Sequence, residues 1–236
     1  MITIQKIGKL LLMFLVVAGM TSCNDDDDVP FSITGDVVTF KQMINDSVSY
    51  APAYYAYGNY KMTSAKVTLP SGDSITLTDN EYGQSTYYQY PDSTDFSTEI
   101  PEEGTYTFTV VNEGITHSAT DELEVKNLEI PTITEVTAAA GTANGTLTVN
   151  WESDTNTDNY VVWLKNDSGE VIFATKSLPN TSTTYIISAS TGFTKQFESG
   201  KSYTVEVHAL LYEDSALDYL YNVEMIAIGS EDIVWE

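Results

Sequence analysis

Short runs of alternating apolar and polar residues recur along most of this chain. Leu147, Val149 and Trp151 alternate with polar residues, and Tyr203 and Val205 begin a similar run. Clusters of Gly, Pro, Asn, Asp and Ser separate these runs, and few stretches after residue 22 have the spacing of an amphipathic helix. A period of two is typical of strands with one buried face. The pattern therefore predicts an all-β fold made of sandwiches.

Two landmarks of the pattern occur twice. The glycines of two predicted hairpin turns, Gly72 and Gly169, are 97 residues apart, and so are Tyr106 and Tyr203, which each lead a strand. A shared offset at two unrelated landmarks indicates a duplicated domain. The same offset places Tyr54 at the position of Trp151, where it could replace the tryptophan in the core.

The second copy carries a family resemblance. Trp151 on its second strand and Tyr203 at the head of its sixth resemble the core tryptophan and the tyrosine corner of fibronectin type III domains. The resemblance implies a fibronectin III-like sandwich over residues 131–236, and residues 31–127 are interpreted as an Ig-like sandwich. The expected fold is thus two tandem sandwiches. The linker at residues 128–131 contains no Gly or Ser, which predicts a semi-rigid rod.

The first 22 residues have the layout of a signal peptide. Lys6 and Lys9 precede an apolar run of about ten residues, which is too short to span a bilayer. Residues 20–23 resemble the bacterial lipobox, and this implies cleavage before Cys23 and its modification with fatty acyl chains such as palmitate. The alternative is an ordinary secretory signal with an incidental cysteine.

Residues 23–30 are interpreted as a lipidated cysteine and an acidic tether. The aspartates at 25–28 resemble the surface-export signal of Bacteroidetes lipoproteins, which implies an outer-membrane lipoprotein facing the cell exterior. The lipid anchor would then make the outer membrane a partner. A solvated spacer on the periplasmic face of that membrane is the alternative.

The charge of the chain excludes one class of partner. The formal net charge is −24, and no arginine occurs. Nucleic acid is excluded because its binding needs cationic contacts to phosphates. A polysaccharide or a cell-surface protein remains as a partner.

The sequence motifs expected of a catalytic site are absent from the chain. The chain has two histidines, and alternation places His208 on the wet face of its strand. No nucleophile, zinc or phosphate-binding motif occurs. We therefore predict no catalytic residues and no enzyme activity. An accessory glycoside hydrolase is a remote alternative that would need a cleft with two carboxylates.

Tyrosine is the strongest candidate for ligand binding. The chain contains 16 tyrosines, and several cluster near residues 50–60 and 82–90. Exposed tyrosines supply a large, rigid contact area, although tyrosine is also a favoured strand residue that packs in cores. The candidate ligand-binding residues are Tyr55, Tyr57, Tyr88 and Tyr90.

A calcium site is the second candidate. Asp154, Asn156 and Asp158 space oxygen ligands as in the start of an EF-hand loop, but the expected glycine and final glutamate are replaced by Asn159 and Lys165. The sequence suggests no cofactor other than Ca²⁺. The alternative is an ordinary polar loop.

The sequence thus predicts a non-catalytic surface lipoprotein that binds an extracellular glycan or mediates cell-surface adhesion. The alternative is a structural spacer or an assembly component of an outer-membrane complex. Adhesion or assembly would use an exposed edge strand, and residues 226–235 are the candidate.

Overall fold

The computed structural model describes residues 29–79, 83–139, 145–214 and 222–236. Within these residues the chain forms strands and one 3₁₀ turn at Ala189–Thr191. The strands are β1 (Ile33–Ile44), β2 (Ser47–Gly58), β3 (Ser64–Thr68), β4 (Ser74–Thr76), β5 (Thr78–Asp79), β6 (Thr86–Gln89), β7 (Gly104–Asn112), β8 (Ile115–Leu123), β9 (Ile133–Ala139), β10 (Thr146–Trp151), β11 (Asn159–Asn166), β12 (Val171–Ala174), β13 (Leu178–Pro179), β14 (Thr184–Ile187), β15 (Ser202–Tyr212) and β16 (Val223–Val234). The predicted all-β class is confirmed.

The two halves repeat one strand order. In the first half, β1, β2 and β6 are neighbours in one sheet, and β4, β3, β7 and β8 form another. In the second half, β9, β10 and β14 form a sheet in the corresponding order, while β12, β11, β15 and β16 correspond to the four-stranded sheet. Each half is therefore a sandwich with the layout of an Ig-like or fibronectin III-like domain.

Each sandwich encloses its own core. Tyr54 is 3% exposed and packs in the first core, and Trp151 is 2% exposed in the second. Each ring contacts a tyrosine of the facing sheet: the centroids of Tyr54 and Tyr106 are 5.8 Å apart, and those of Trp151 and Tyr160 are 5.6 Å apart. The replacement of the tryptophan by Tyr54 is thus confirmed.

A tyrosine corner closes each sandwich. The hydroxyl of Tyr106 donates a hydrogen bond of 2.7 Å to the carbonyl oxygen of Glu102. The hydroxyl of Tyr203 accepts one of 3.0 Å from the main-chain N–H of Glu198. Both bonds join a buried side chain to main chain a few residues upstream, as the resemblance implied.

Substituting Tyr106→Phe is expected to lower the free energy of unfolding by about 1 kcal/mol, because the buried Tyr106 loses its hydrogen bond to the carbonyl oxygen of Glu102. Urea unfolding measures the change. Tyr88→Phe is the matched control, since its hydroxyl has no hydrogen-bond partner in the described residues, and it should change stability by less than about 0.5 kcal/mol. Equal effects of the two substitutions would contradict the role of the corner.

The two sandwiches share one sheet. Strand β16 of the second half pairs in parallel with β1 of the first half, through residues 225–228 and 39–42. This pairing joins strands from both halves into a nine-stranded sheet with the path β12-β11-β15-β16-β1-β2-β6-β5, and the ninth strand, β13, pairs with β11 off this path. Phe31–Glu236 accordingly forms one compact unit, so the expectation of two modules joined as a rod is wrong. The domain limits 31–127 and 131–236 stay a prediction.

The segment between the halves is part of the packing. Leu128 is fully buried, and its carbonyl oxygen accepts a hydrogen bond of 2.6 Å from Nζ of the buried Lys41. Farther on, Pro131 lies against β16 at Gly229, where an added Cβ would be 2.0 Å from the proline carbonyl oxygen. The pairing of β1 with β16 ends at Ile228, one residue before Gly229.

The predicted exposed edge at residues 226–235 is wrong for residues 226–228. Strand β16 pairs with β15 along its length and with β1 at residues 225–228, so this part has neighbours on both sides. Near its end, Trp235 is 6% exposed and stacks on Phe197 with ring centroids 4.1 Å apart. Alternation cannot reveal this arrangement, because it distinguishes the two faces of a strand but not its two edges.

Candidate functional site

A tight turn sets which side chains meet on the first half of the shared sheet. Asn45 and Asp46 have φ angles of 49° and 60°, which fit a two-residue hairpin turn between β1 and β2. With this turn, Asp36 lies opposite Tyr55. Tyr55 lies in turn opposite Tyr88 on β6. Directly opposed residues share a face, so these three side chains form one row across the sheet.

The tyrosine face consists of Tyr55, Tyr57, Tyr88 and Tyr90, on the side of the sheet turned away from the first core. The rings of Tyr55 and Tyr57 are nearly parallel, at 7°, with centroids 6.0 Å apart. Those of Tyr55 and Tyr88 are 6.5 Å apart and inclined by 27°. Tyr88 is 37% exposed and Tyr90 is 45% exposed, while the other two rings are half-buried. The structure thus brings all four predicted tyrosines together.

The hydroxyls of the tyrosine face differ from those of the cores. Four other tyrosines hydrogen-bond to main-chain atoms: Tyr87, Tyr106, Tyr160 and Tyr203. Within the described residues, none of the four hydroxyls of the tyrosine face has a hydrogen-bond partner. Burial raises the pKa of the Tyr55 and Tyr57 hydroxyls, and the carboxylate of Asp36 raises both further. These groups are therefore neutral at ordinary pH and can donate to a ligand.

A strap crosses the same face beside the tyrosines. It consists of residues 90–97 and is held by a pair of main-chain hydrogen bonds between Tyr50 and Ser97, of 2.7 and 3.0 Å. Tyr90 of the strap contacts the ring of Phe40, with centroids 5.0 Å apart. Phe96 packs on the junction cluster, which consists of Val38, Phe40, Ala53 and Ile228. The strap therefore covers the place where β1 and β16 meet.

The prediction that His208 lies on a wet face is wrong. The residue is 4% exposed, its ring lies 4.4 Å from that of Trp163, and its Nε2 is 2.9 Å from Oε2 of Glu206. Glu206 is also paired with Lys165. His208 lies opposite Ile228 of the junction cluster, because the sheet continues into the first half. Both faces of β15 are buried there, which alternation along one strand does not predict.

A cluster of carboxylates lies at the Asp36 end of the row that Asp36 forms with Tyr55 and Tyr88. Carboxylate oxygens of Asp36, Asp121 and Glu213 are all within 4.8 Å of one another. Burial, and then the charges of Asp121, Glu213 and Glu224, raise the pKa of Asp36 to about 7. Burial also raises the pKa of Glu224 to about 7. Carboxylates at this separation can share protons or hold a divalent cation.

Sequence reasoning missed Asp36 as a neighbour of the tyrosines. A signal was present: Asn-Asp between two strand-like runs predicts a two-residue turn, and that turn determines the register of the hairpin. Counting back from Asn45 and forward from Asp46 brings Asp36 opposite Tyr55. Glu213 carried no such signal, because it reaches the cluster from the other half of the chain.

The predicted calcium ligands lie in the loop between β10 and β11. The two carboxylate oxygens of Asp154 accept main-chain hydrogen bonds of 3.1 Å from Glu129 and Asn156. One oxygen of Asp158 accepts a hydrogen bond of 2.8 Å from the main-chain N–H of Tyr212. These oxygens thus hold the loop against neighbouring segments, and calcium binding stays a prediction.

Other predicted features fall elsewhere. Cys23, the signal peptide and the aspartates at 25–28 lie outside the described residues. Among the residues that are described, no helix combines the length and the apolar character needed to cross a bilayer. A cavity of about 550 Å³ next to Asp158 and one of about 500 Å³ next to Lys201 lie in the second half, and neither is lined by the tyrosine face.

Comparisons with known proteins give resemblances of fold only. No protein-family model matches the chain, and no curated protein sequence matches it. The chain is similar to a segment of two fibronectin type III domains from chicken tenascin, with a TM-score of 0.30 and 12% identity over 77% of this chain and 92% of that one.

Two further structures resemble the chain at the same level. The first three fibronectin domains of chicken CNTN1 have a TM-score of 0.32 and 12% identity, over 85% of this chain and 64% of theirs. A four-repeat segment of a large adhesion protein has a TM-score of 0.23 and 14% identity, over 86% of this chain and 50% of that one. No function follows from similarities this remote.

Proposed function

We propose that this chain is a non-catalytic, lipid-anchored protein of the outer cell surface that binds a polysaccharide on its tyrosine face. The observation that carries the proposal is the grouping of Tyr55, Tyr57, Tyr88 and Tyr90 on one sheet face, with hydroxyls that no group of the described residues engages. Near-parallel rings 6.0 Å apart offer apolar area for sugar rings, and the hydroxyls offer hydrogen bonds to sugar hydroxyls.

The shape of the site favours an extended ligand. The tyrosines lie on a sheet face and line none of the described cavities, whereas sites for small molecules are usually concave. A polymer that contacts several rings in succession can gain affinity from a flat surface. Membrane attachment through Cys23 and exposure through the acidic tether would place such a face toward extracellular polymers.

Replacing Tyr55, Tyr57 and Tyr88 together by alanine is expected to reduce retention by a polysaccharide at least about tenfold, because each ring contact contributes roughly 0.5–1.5 kcal/mol. The measurement is affinity electrophoresis of residues 29–236 through gels that contain plant or host polysaccharides. Tyr60→Ala is the matched control, since Tyr60 is an exposed tyrosine outside the paired rows, and it should keep full retention.

A second variant separates the two kinds of contact. Phenylalanine at the same three positions keeps the rings and removes the hydroxyls, so a partial loss of retention is expected. Unfolding midpoints of both triple variants near that of the unchanged chain would show that the fold is intact. The absence of retention by any polysaccharide in a broad panel would contradict the proposal and favour a structural spacer or an assembly component.

A further inference from the structure

Several carboxylates lie near the tyrosine face. Asp36 stands in the same row as Tyr55, directly opposite it on β1. The charge of Asp36 acts on the hydroxyls of both Tyr55 and Tyr57. At the strap, the charge of Glu206 acts on the hydroxyl of Tyr90 and, after burial, raises its pKa. Carboxylates thus occur near three of the four tyrosines.

The positive charges near this face are already engaged. Lys165 is the cation next to Glu206, and its ammonium group is paired with that carboxylate. Lys41 of β1 is buried and donates to the carbonyl oxygen of Leu128. Lys126 pairs with Asp214. The whole chain contains only 10 lysines against 34 acidic residues and has no arginine. An anionic ligand would therefore meet the carboxylate of Asp36, and none of these three ammonium groups is free to offset the repulsion.

We propose that the tyrosine face selects an uncharged polysaccharide and rejects acidic ones that carry carboxylate or sulfate groups. The inference rests on the proposed function and adds the charge class of the ligand. Its physical basis is local: a polymer lying along the row of Tyr55 and Tyr88 passes the carboxylate of Asp36, so an acidic group on that polymer is repelled at short range. Stacking on the rings itself has no preference for charge, so the carboxylates decide the selectivity.

The test compares polymers that differ only in charge. The full chain is solubilised in a polyoxyethylene detergent, because a detergent with a sugar headgroup would compete for the face. Its retention is measured on three matched pairs: hydroxyethyl and carboxymethyl cellulose, dextran and dextran sulfate, and methyl-esterified pectin and the same pectin after saponification. We expect retention by at least one neutral polymer and at least tenfold weaker retention by its charged counterpart at low salt and pH 8, where the carboxylate of Asp36 is ionised.

Salt separates the electrostatic part from the rest. In 1 M salt, charges are screened beyond about 3 Å. The ratio of retention by the neutral polymer to retention by its charged counterpart should therefore fall to less than threefold, while the neutral polymer stays bound. Equal or stronger retention of the charged member would overturn this inference and leave the proposed function standing. No retention of either member of any pair would overturn both.

Two variants with the same change in net charge distinguish a local from a global cause. Asp36→Asn is expected to strengthen retention of the charged polymer at least threefold at low salt. Asp167→Asn, in the exposed ion pair with Lys201 in the second half, should leave that retention unchanged. Equal effects of the two substitutions would show that the overall negative charge acts instead, and would overturn the assignment of selectivity to the tyrosine face.

Discussion

Replacing Phe40 by alanine is expected to lower the free energy of unfolding by about 3–5 kcal/mol and to uncouple the two halves of the chain. Phe40 is 4% exposed and contributes to the junction cluster together with Val38, Ala53 and Ile228. Only four residue pairs join β1 to β16, so packing on this cluster is the main apolar contact between the halves on that face of the sheet. Its loss leaves a cavity where the two halves meet.

Coupling can be measured because the tryptophans report on one half. Trp151, Trp163 and Trp235 are the three tryptophans of the chain, and all follow residue 131. Their fluorescence therefore follows the second half, whereas far-ultraviolet circular dichroism follows both. In the unchanged chain the two signals should give one coincident urea transition, and in Phe40→Ala they should separate.

A second substitution tests the coupling directly. Phe108 is fully buried in the first core and is not a member of the junction cluster. Phe108→Ala should lower the fluorescence midpoint of the otherwise unchanged chain, although no tryptophan lies in its half. In the Phe40→Ala background the same substitution should leave that midpoint in place. If Phe108→Ala never moves the fluorescence midpoint, the shared sheet does not couple the halves.

Acidification from pH 8 to pH 5 is expected to stabilise the folded chain by on the order of 2 kcal/mol. Burial raises the pKa of Asp36 from 3.8 to about 7 and that of Glu224 from 4.5 to about 7. Both groups bind their protons more tightly in the folded state than in the unfolded state. Stability therefore rises as the pH falls through 7, and this contribution stops growing near the unfolded pKa values.

One substitution in the carboxylate cluster should remove the part of this pH dependence that comes from Asp36. Asp36→Asn should raise the thermal midpoint at pH 8 and flatten its rise toward pH 5, because the buried Oδ1 of Asp36 has no hydrogen-bond partner to lose. Asp73→Asn is the matched control, since Asp73 is exposed in a hairpin turn, and it should leave the profile unchanged. A midpoint that falls between pH 8 and pH 5 would contradict this interpretation of the cluster.

Much of the fold could be predicted because it depends on local pattern. Alternation is visible in the burial of Leu147, Val149 and Trp151 on β10, and the 97-residue offset matched β3 with β11 and β7 with β15. Strand alternation also placed Tyr54 and Tyr55 on opposite faces, which the structure confirms. Each of these inferences needs only the strand period or a repeated landmark.

The candidate site was predictable in part for the same reason. Tyr55 and Tyr57 share a face by alternation, and Tyr88 joins them once β6 pairs with β2. Asp36 could have been added from the turn at Asn45 and Asp46, as its φ angles now indicate. The neighbours from the second half, Glu206 and Glu213, are more than 100 residues away in sequence, and no local pattern connects them to the tyrosines.

The sequence by itself determined the all-β class, the duplication, the two cores and the negative charge, because period, offset and composition are properties of the chain order. Only the tertiary structure decided that β16 pairs with β1. This one pairing buries His208, covers the first part of the predicted edge and makes a single sheet of two sandwiches. The physical reason is that a strand carries its face pattern in its side chains, whereas its edges are main-chain groups that every residue type except proline offers alike.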